Sequence, residues 1–165
     1  MGRFFISSGF TLIELIVAIS VIAILSTAGI ASFVTFSQRQ ALATATFDVV
    51  TMLNTAKSRA LSQVKPSTPP GNGCITNALN GYVVNIDILG GTTYTLLARC
   101  LGAPDTLVQT GKLPIGIAFG PSTTTFFFQV QTGHVVSTGT QIRINGYSSQ
   151  SKTITVTSDA RIQVN

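Results

Sequence analysis

Between Phe10 and Gln38 the chain reads FTLIELIVAISVIAILSTAGIASFVTFSQ, and the only charge in that run is Glu14. Such a stretch, more than twenty residues long, spans a hydrocarbon core of about 30 Å as a helix. After Phe36 the pattern changes without a turn signal. Leu42, Ala45, Val49, Leu53, Ala56 and Ala60 recur every three or four residues, one face of an amphipathic helix, while Arg39, Asp48, Lys57 and Arg59 fall mainly on other faces. The stripe predicts that residues 37–64 continue the helix of residues 10–36 and pack on the domain they carry. KPSTPPGNG, residues 65–73, ends it, because Pro66, Pro69 and Pro70 cannot extend a helix.

Residues 65–165 read as a β-rich head. Tyr82–Leu89 alternates, Gly90-Gly91 turns, and Thr93–Arg99 returns, which predicts a hairpin. Ile115, Ile117 and Phe119 alternate. Thr124–Gln131 holds three consecutive phenylalanines, a strand buried on both faces or bordering a core. Gln141–Asn145, Lys152–Thr157 and Ile162–Val164 complete the strand signals. The expected fold is α+β: one long N-terminal helix packed on a small antiparallel two-sheet β-domain.

Composition sharpens this division. The 165 residues carry ten Lys+Arg and five Asp+Glu, a net charge of +5, with no run of basic residues. That scatter fits a solvated surface better than a nucleic-acid patch. The head is rich in Thr, Ser and Gly, as exported β-domains are. Its two cysteines, Cys74 and Cys100, favour a disulfide in an exported domain; two unpaired thiols are the alternative. With one distant histidine they are too few to bind zinc, so no metal is expected.

The order of the N-terminal parts is the reverse of a secretory signal, where the apolar stretch precedes the cleavage site. Here MGRFFISSG comes first and the apolar run follows. A cut after Gly9 would retain the apolar helix; an uncleaved signal anchor held by Arg3 is the alternative. Glu14 speaks against that alternative. A carboxylate in a membrane helix costs on the order of 2.5–3.5 kcal/mol on insertion scales, less near an end. With Phe10 as the first residue, Glu14 lies in the first turn, where the helix dipole favours it. A free amine at Phe10, on the same chain or a neighbour, supplies a partner that the precursor lacks.

GFTLIEL, residues 9–15, resembles the processing motif of type IV prepilins and type II secretion pseudopilins. The glycine before the cut, the phenylalanine after it, the glutamate at the fifth position beyond the cut and the following LIVAISVIAIL all match. The resemblance implies that a prepilin peptidase cleaves between Gly9 and Phe10 and N-methylates Phe10. It further implies that Glu14 neutralises the amino terminus of a neighbouring subunit joining a helical filament. One departure is visible: many major pilins carry proline where this chain has Ala31. With no proline in residues 10–64, Gly29 is the one soft point of the helix.

FFFQVQTGHVVSTGTQIRI and SKTITVTSDARIQV resemble the FimT/GspH-type minor pilins and pseudopilins. There a strand, a glycine turn, a strand and a final hairpin close two small antiparallel sheets against the helix. The resemblance implies residence in the bacterial cytoplasmic membrane as a single-pass protein with an exported head, then in a pilus or pseudopilus among other pilins. Residues 74–114 are placed by position alone.

No catalytic constellation is legible, and neither an enzymatic role nor a cofactor is expected. His134 is the only histidine and follows the turn-like Thr132-Gly133. Asp48, Asp87, Asp105 and Asp159 are widely spaced, and no Gly-x-x-x-x-Gly-Lys pattern occurs. The alternative function is DNA binding in natural transformation. Some FimT-type proteins bind DNA through a Gly-Arg-x-Arg motif, and the matching positions here read Ala160-Arg161-Ile162-Gln163. One arginine is retained, and Arg143 and Lys152 are candidates to compensate for the other.

Overall fold

The structure, a computed structural model, describes residues 10–66, 74, 76–86, 91–121 and 124–165, with the backbone alone at 27 and 28. The predicted leader 1–9, most of the KPSTPPGNG segment, Asp87 and Gly90 lie outside the described residues. The chain divides into two units, 1–37 and 38–165.

One helix, α1, covers Leu12–Leu61. It stops short of the prolines expected to end it. Gln63 adopts a left-handed conformation (φ 53°), the Val64 N–H donates to the Arg59 carbonyl at 3.2 Å, and the Gln63 N–H to the Ala60 carbonyl at 3.3 Å. That pair of bonds is a Schellman motif, which satisfies the last carbonyls without any proline. The Tyr82 hydroxyl then donates to the Val64 carbonyl and fixes the exit of the chain.

Among the described residues of the second unit, nine strands form two antiparallel sheets. The first is ordered β3-β2-β1-β5-β6, from β1 (Leu79–Ile86), β2 (Thr93–Cys100), β3 (Thr106–Lys112), β5 (Thr125–Gln129) and β6 (Val135–Ser137). The second is ordered β4-β7-β8-β9, from β4 (Ala118–Phe119), β7 (Gln141–Asn145), β8 (Ser151–Val156) and β9 (Ile162–Val164). This is the predicted α+β architecture. Alternation along each strand sends one set of side chains to the helix. Leu42, Ala45, Val49, Met52, Leu53, Ala56 and Ala60 pack with Tyr82, Val84, Leu96, Phe126 and Phe128 of the larger sheet and with Phe119, Ile142, Ile144 and Ile154 of the smaller.

One local expectation changes, and one open alternative is decided. Of the alternating Ile115, Ile117 and Phe119, only the end is strand; Pro114 and Gly116 make a turn that leaves Ile115 outside. The phenylalanine triplet is an inner strand between β1 and β6, with Phe126 and Phe128 in the core and Phe127 on the opposite face. There Phe127 belongs to a row that crosses the whole sheet in register: Leu107, Leu97, Val83, Phe127 and Val136. Val83, at its centre, is fully buried. The Arg99 guanidinium covers the Phe127 ring 5.2 Å from its centroid while bonding Asp105 through Nε (2.9 Å) and Nη2 (2.7 Å).

Candidate functional site

The N-terminal unit begins with a capped helix. Thr11 precedes α1, and its hydroxyl accepts the Glu14 N–H at 3.3 Å; the Leu15 N–H donates to the Thr11 carbonyl at 3.2 Å. Thr-Leu-Ile-Glu, residues 11–14, has the spacing of a capping box, a local signal overlapping the processing motif. Glu14 therefore sits in the first turn of α1, where the aligned peptide dipoles favour a carboxylate. Among the described residues its side chain has no ion pair. Phe10 lies just ahead of the helix and is exposed.

Beyond Glu14 the described side chains up to Ser37 are all exposed, although most are apolar. An 18-residue window in this helix reaches a mean hydropathy of 2.3, long and apolar enough to cross a membrane. Three of the described hydroxyls in the run bond back to the helix itself. Ser20 Oγ donates to the Ile16 carbonyl (2.8 Å), Ser26 Oγ to Ile22 (2.7 Å) and Thr35 Oγ1 to Ala31 (3.1 Å). Self-satisfied hydroxyls suit a medium that offers no hydrogen bonds. The one charged group of the run is the Glu14 carboxylate.

In the head, Cys74 and Cys100 form a disulfide, Cα atoms 5.3 Å apart, joining the segment after α1 to the last residue of β2. The proposed DNA contacts do not converge. Residues paired directly across strands share a face. Arg143 pairs with Thr153 on the outer face of the smaller sheet and donates to Ser151 Oγ at 3.3 Å. Arg161 lies opposite Thr157 at the far end of β8, whose N–H donates to its carbonyl (3.0 Å). Lys152 pairs with Ile144, a core residue, so it belongs to the other face, at an exposed strand end. Asp159 stands close to Arg161, its carboxyl held below the usual range first by the Thr157 hydroxyl, with Arg161 and Lys57 adding to the effect. Gly120 lies where a Cβ would come 2.9 Å from that of Arg143, so the arginine lies over bare backbone. His134 is exposed, next to the turn at Gly133. Asp48, Asp105 and Asp159 lie on α1, in the β2–β3 turn and in the β8–β9 turn.

Residues 6–30 match the model of the prokaryotic N-terminal methylation motif. The chain thus carries a prepilin-type processing motif at its N-terminus, which supports a type IV pilin-like protein. No curated protein and no solved structure matches the chain.

Proposed function

We propose that the chain is a minor pilin or pseudopilin, a structural subunit of a type IV pilus or type II secretion pseudopilus. A prepilin peptidase cuts between Gly9 and Phe10 and methylates the new amine. The apolar helix then holds the subunit in the cytoplasmic membrane, single-pass with its head exported, until it joins other pilins in a filament. The observation that carries this reading is the coincidence of the methylation motif with the start of the apolar helix: residues 6–30 overlap the run from Phe10, whose described side chains are exposed. The chain acts by packing, with no catalytic step of its own.

Mass spectrometry of the membrane fraction tests it. The mature chain should start at methylated Phe10. Gly9→Leu should leave the precursor uncut, since the peptidase site has room for only a very small side chain there. Normal maturation of Gly9→Leu, or a wild-type chain still starting at Met1, refutes the reading.

A second reading, DNA capture by the head, draws on Arg143 and Arg161 sharing the outer face of the smaller sheet. With Lys152 on the other face and Asp159 beside Arg161, few phosphate contacts remain. The salt dependence of binding should then be shallow, and Arg161→Ala should flatten it further. No retention of duplex DNA at low ionic strength eliminates it.

A further inference from the structure

Ile115 is 93% exposed, more than any other large apolar side chain among the described residues. Its turn is built to keep it there. The Ile117 N–H donates to the Pro114 carbonyl at 3.2 Å, and Gly116 takes φ +79° at the third position, a type II turn. The Tyr147 hydroxyl donates to the Ile115 carbonyl at 2.8 Å. Tyr147 also lies so close over Gly116 that a Cβ there would fall 2.1 Å from its ring. Leu113 and Ile117, on either side, are buried. The turn is thus anchored at both flanks and pinned from above, and it cannot fold its isoleucine back onto the head.

Its position gives this exposure a meaning. Gly146, next to Tyr147, is where the side chain of Leu42 packs, with a Cβ at 146 lying 3.2 Å from it. Leu42 is four residues beyond Gln38, where the head begins. The turn therefore belongs to the end of the head at which the chain enters from the apolar stretch. Three exposed cations share that end: Arg39 at the start of the head, Lys112 at the end of β3 and Lys152 near the start of β8. Among the described acids of the head, Asp105 and Asp159 occupy turns at the opposite end, and Asp48 lies six residues past Leu42 on α1.

We propose that this end of the head rests on an anionic lipid surface, with Ile115 inserted at the level of the headgroups. The proposal depends on the reading that the apolar stretch lies in the bilayer, because the chain then delivers this end to the membrane. The apolar tip gains by leaving water, the half-buried Tyr147 suits the interface, and the cations meet anionic headgroups. The contact holds the unassembled subunit against the bilayer, and its release accompanies entry into a filament.

The chain contains no tryptophan, so a single introduced one reports its own surroundings. The full chain carrying Ile115→Trp is compared with Leu101→Trp, exposed at the opposite end of the head, and with Ile22→Trp in the apolar run. The vesicles contain phosphatidylglycerol and phosphatidylethanolamine, with lipids brominated either near the headgroup or deep in the acyl chain. Ile115→Trp should emit to the blue of Leu101→Trp and lose at least twice as much intensity to shallow bromine. That excess should shrink in vesicles of phosphatidylcholine alone. If Ile115→Trp matches Leu101→Trp in both respects while Ile22→Trp is quenched by deep bromine, the proposal fails and the membrane anchor stands. Shielding from aqueous acrylamide without quenching by bromine would mean a protein contact and also overturns it. An Ile22→Trp that no bromine reaches removes the anchor and the proposal together.

Discussion

The Tyr82 hydroxyl is where the helix, the larger sheet and the chain leaving α1 meet. It is buried and donates to the Val64 carbonyl. Burial raises its pKa, and nearby Arg59 pulls the other way without overcoming that. The neutral form is therefore favoured in the folded chain. The resulting stability is fully present below the unfolded value, about pH 10, and is lost as pH rises through the higher folded value. Thermal melts should accordingly fall off above pH 10. Tyr82→Phe should be less stable at neutral pH, by about 1 kcal/mol for a lost hydrogen bond, but should lose less on going alkaline. Tyr94 keeps part of the fall, since burial, aided by Asp48, raises its pKa too. An alkaline limb that is identical in Tyr82→Phe would show that this hydroxyl does not titrate with folding. Gln63 offers a second test. Its left-handed backbone strains any side chain with a Cβ, and it is exposed, so glycine removes strain without opening a cavity. Gln63→Gly should raise stability by up to about 1 kcal/mol in denaturant titration, less the entropy that glycine adds to the unfolded chain.

The elements that sequence made legible are those whose burial follows a simple period. TYTLLARC in β2 alternates strictly, and QIRIN in β7 has two isoleucines flanked by polar residues. The helical stripe from Leu42 to Ala60 is the packed face of α1. The strand β3, TLVQTGK, leaves little trace in the sequence because it is an edge strand with no clean alternation, and it contains a glycine. That glycine is needed: a Cβ at Gly111 would fall 2.2 Å from the ring of its cross-strand partner Tyr94, which turns edge-on to Phe119. Only the tertiary structure reveals why glycine belongs there. The same holds for Ile115, whose alternation with Ile117 suggests a strand until Tyr147, distant in sequence, fixes the turn. At the N-terminus the motif is legible because it is local, and the partner it implies for Glu14, the amine of a neighbour's Phe10, lies outside this chain. The disulfide was legible as a pairing of two cysteines, and its place in the fold gives it a further consequence. It ties the segment after α1 to the end of β2, across a sequence separation of 26. Replacing both cysteines by serine should cost about 3.5 kcal/mol in the chain-entropy model. Hydrogen exchange should show the protection lost first around Leu79 and Leu101, with β7 and β8 retaining theirs. Uniform loss across both sheets would mean that the bridge supports the whole core.

At the scale of the whole molecule the chain combines a head with its own core and an N-terminal run in which apolar side chains remain uncovered. Exposed apolar surface of that extent needs a surrounding medium or partners, and lipid and neighbouring helices both serve. A bilayer suits the exposed apolar side chains of the run but not the charge of Glu14. Its carboxylate is stabilised by the helix dipole but remains unpaired among the described residues, and an unpaired charge in a low-dielectric setting is expensive. In the proposed filament the amine of a neighbour's Phe10 supplies the countercharge. Membrane insertion and assembly then make opposite demands at one residue. Glu14→Gln keeps the shape and removes the charge, so insertion should be slightly easier and cleavage unaffected, while incorporation into filaments should fall several-fold. Glu14→Asp, with charge but less reach, should fall between Gln and wild type. The quantity to measure is the ratio of mature protein in sheared filaments to that in membranes, normalised to total cleaved chain. A role confined to helix capping orders the variants differently: aspartate, which also carries charge in the first turn, should then match glutamate, and glutamine should lower helix stability without selectively emptying the filament fraction. Wild-type incorporation of Glu14→Gln would therefore separate the carboxylate from assembly and leave the dipole as its only use.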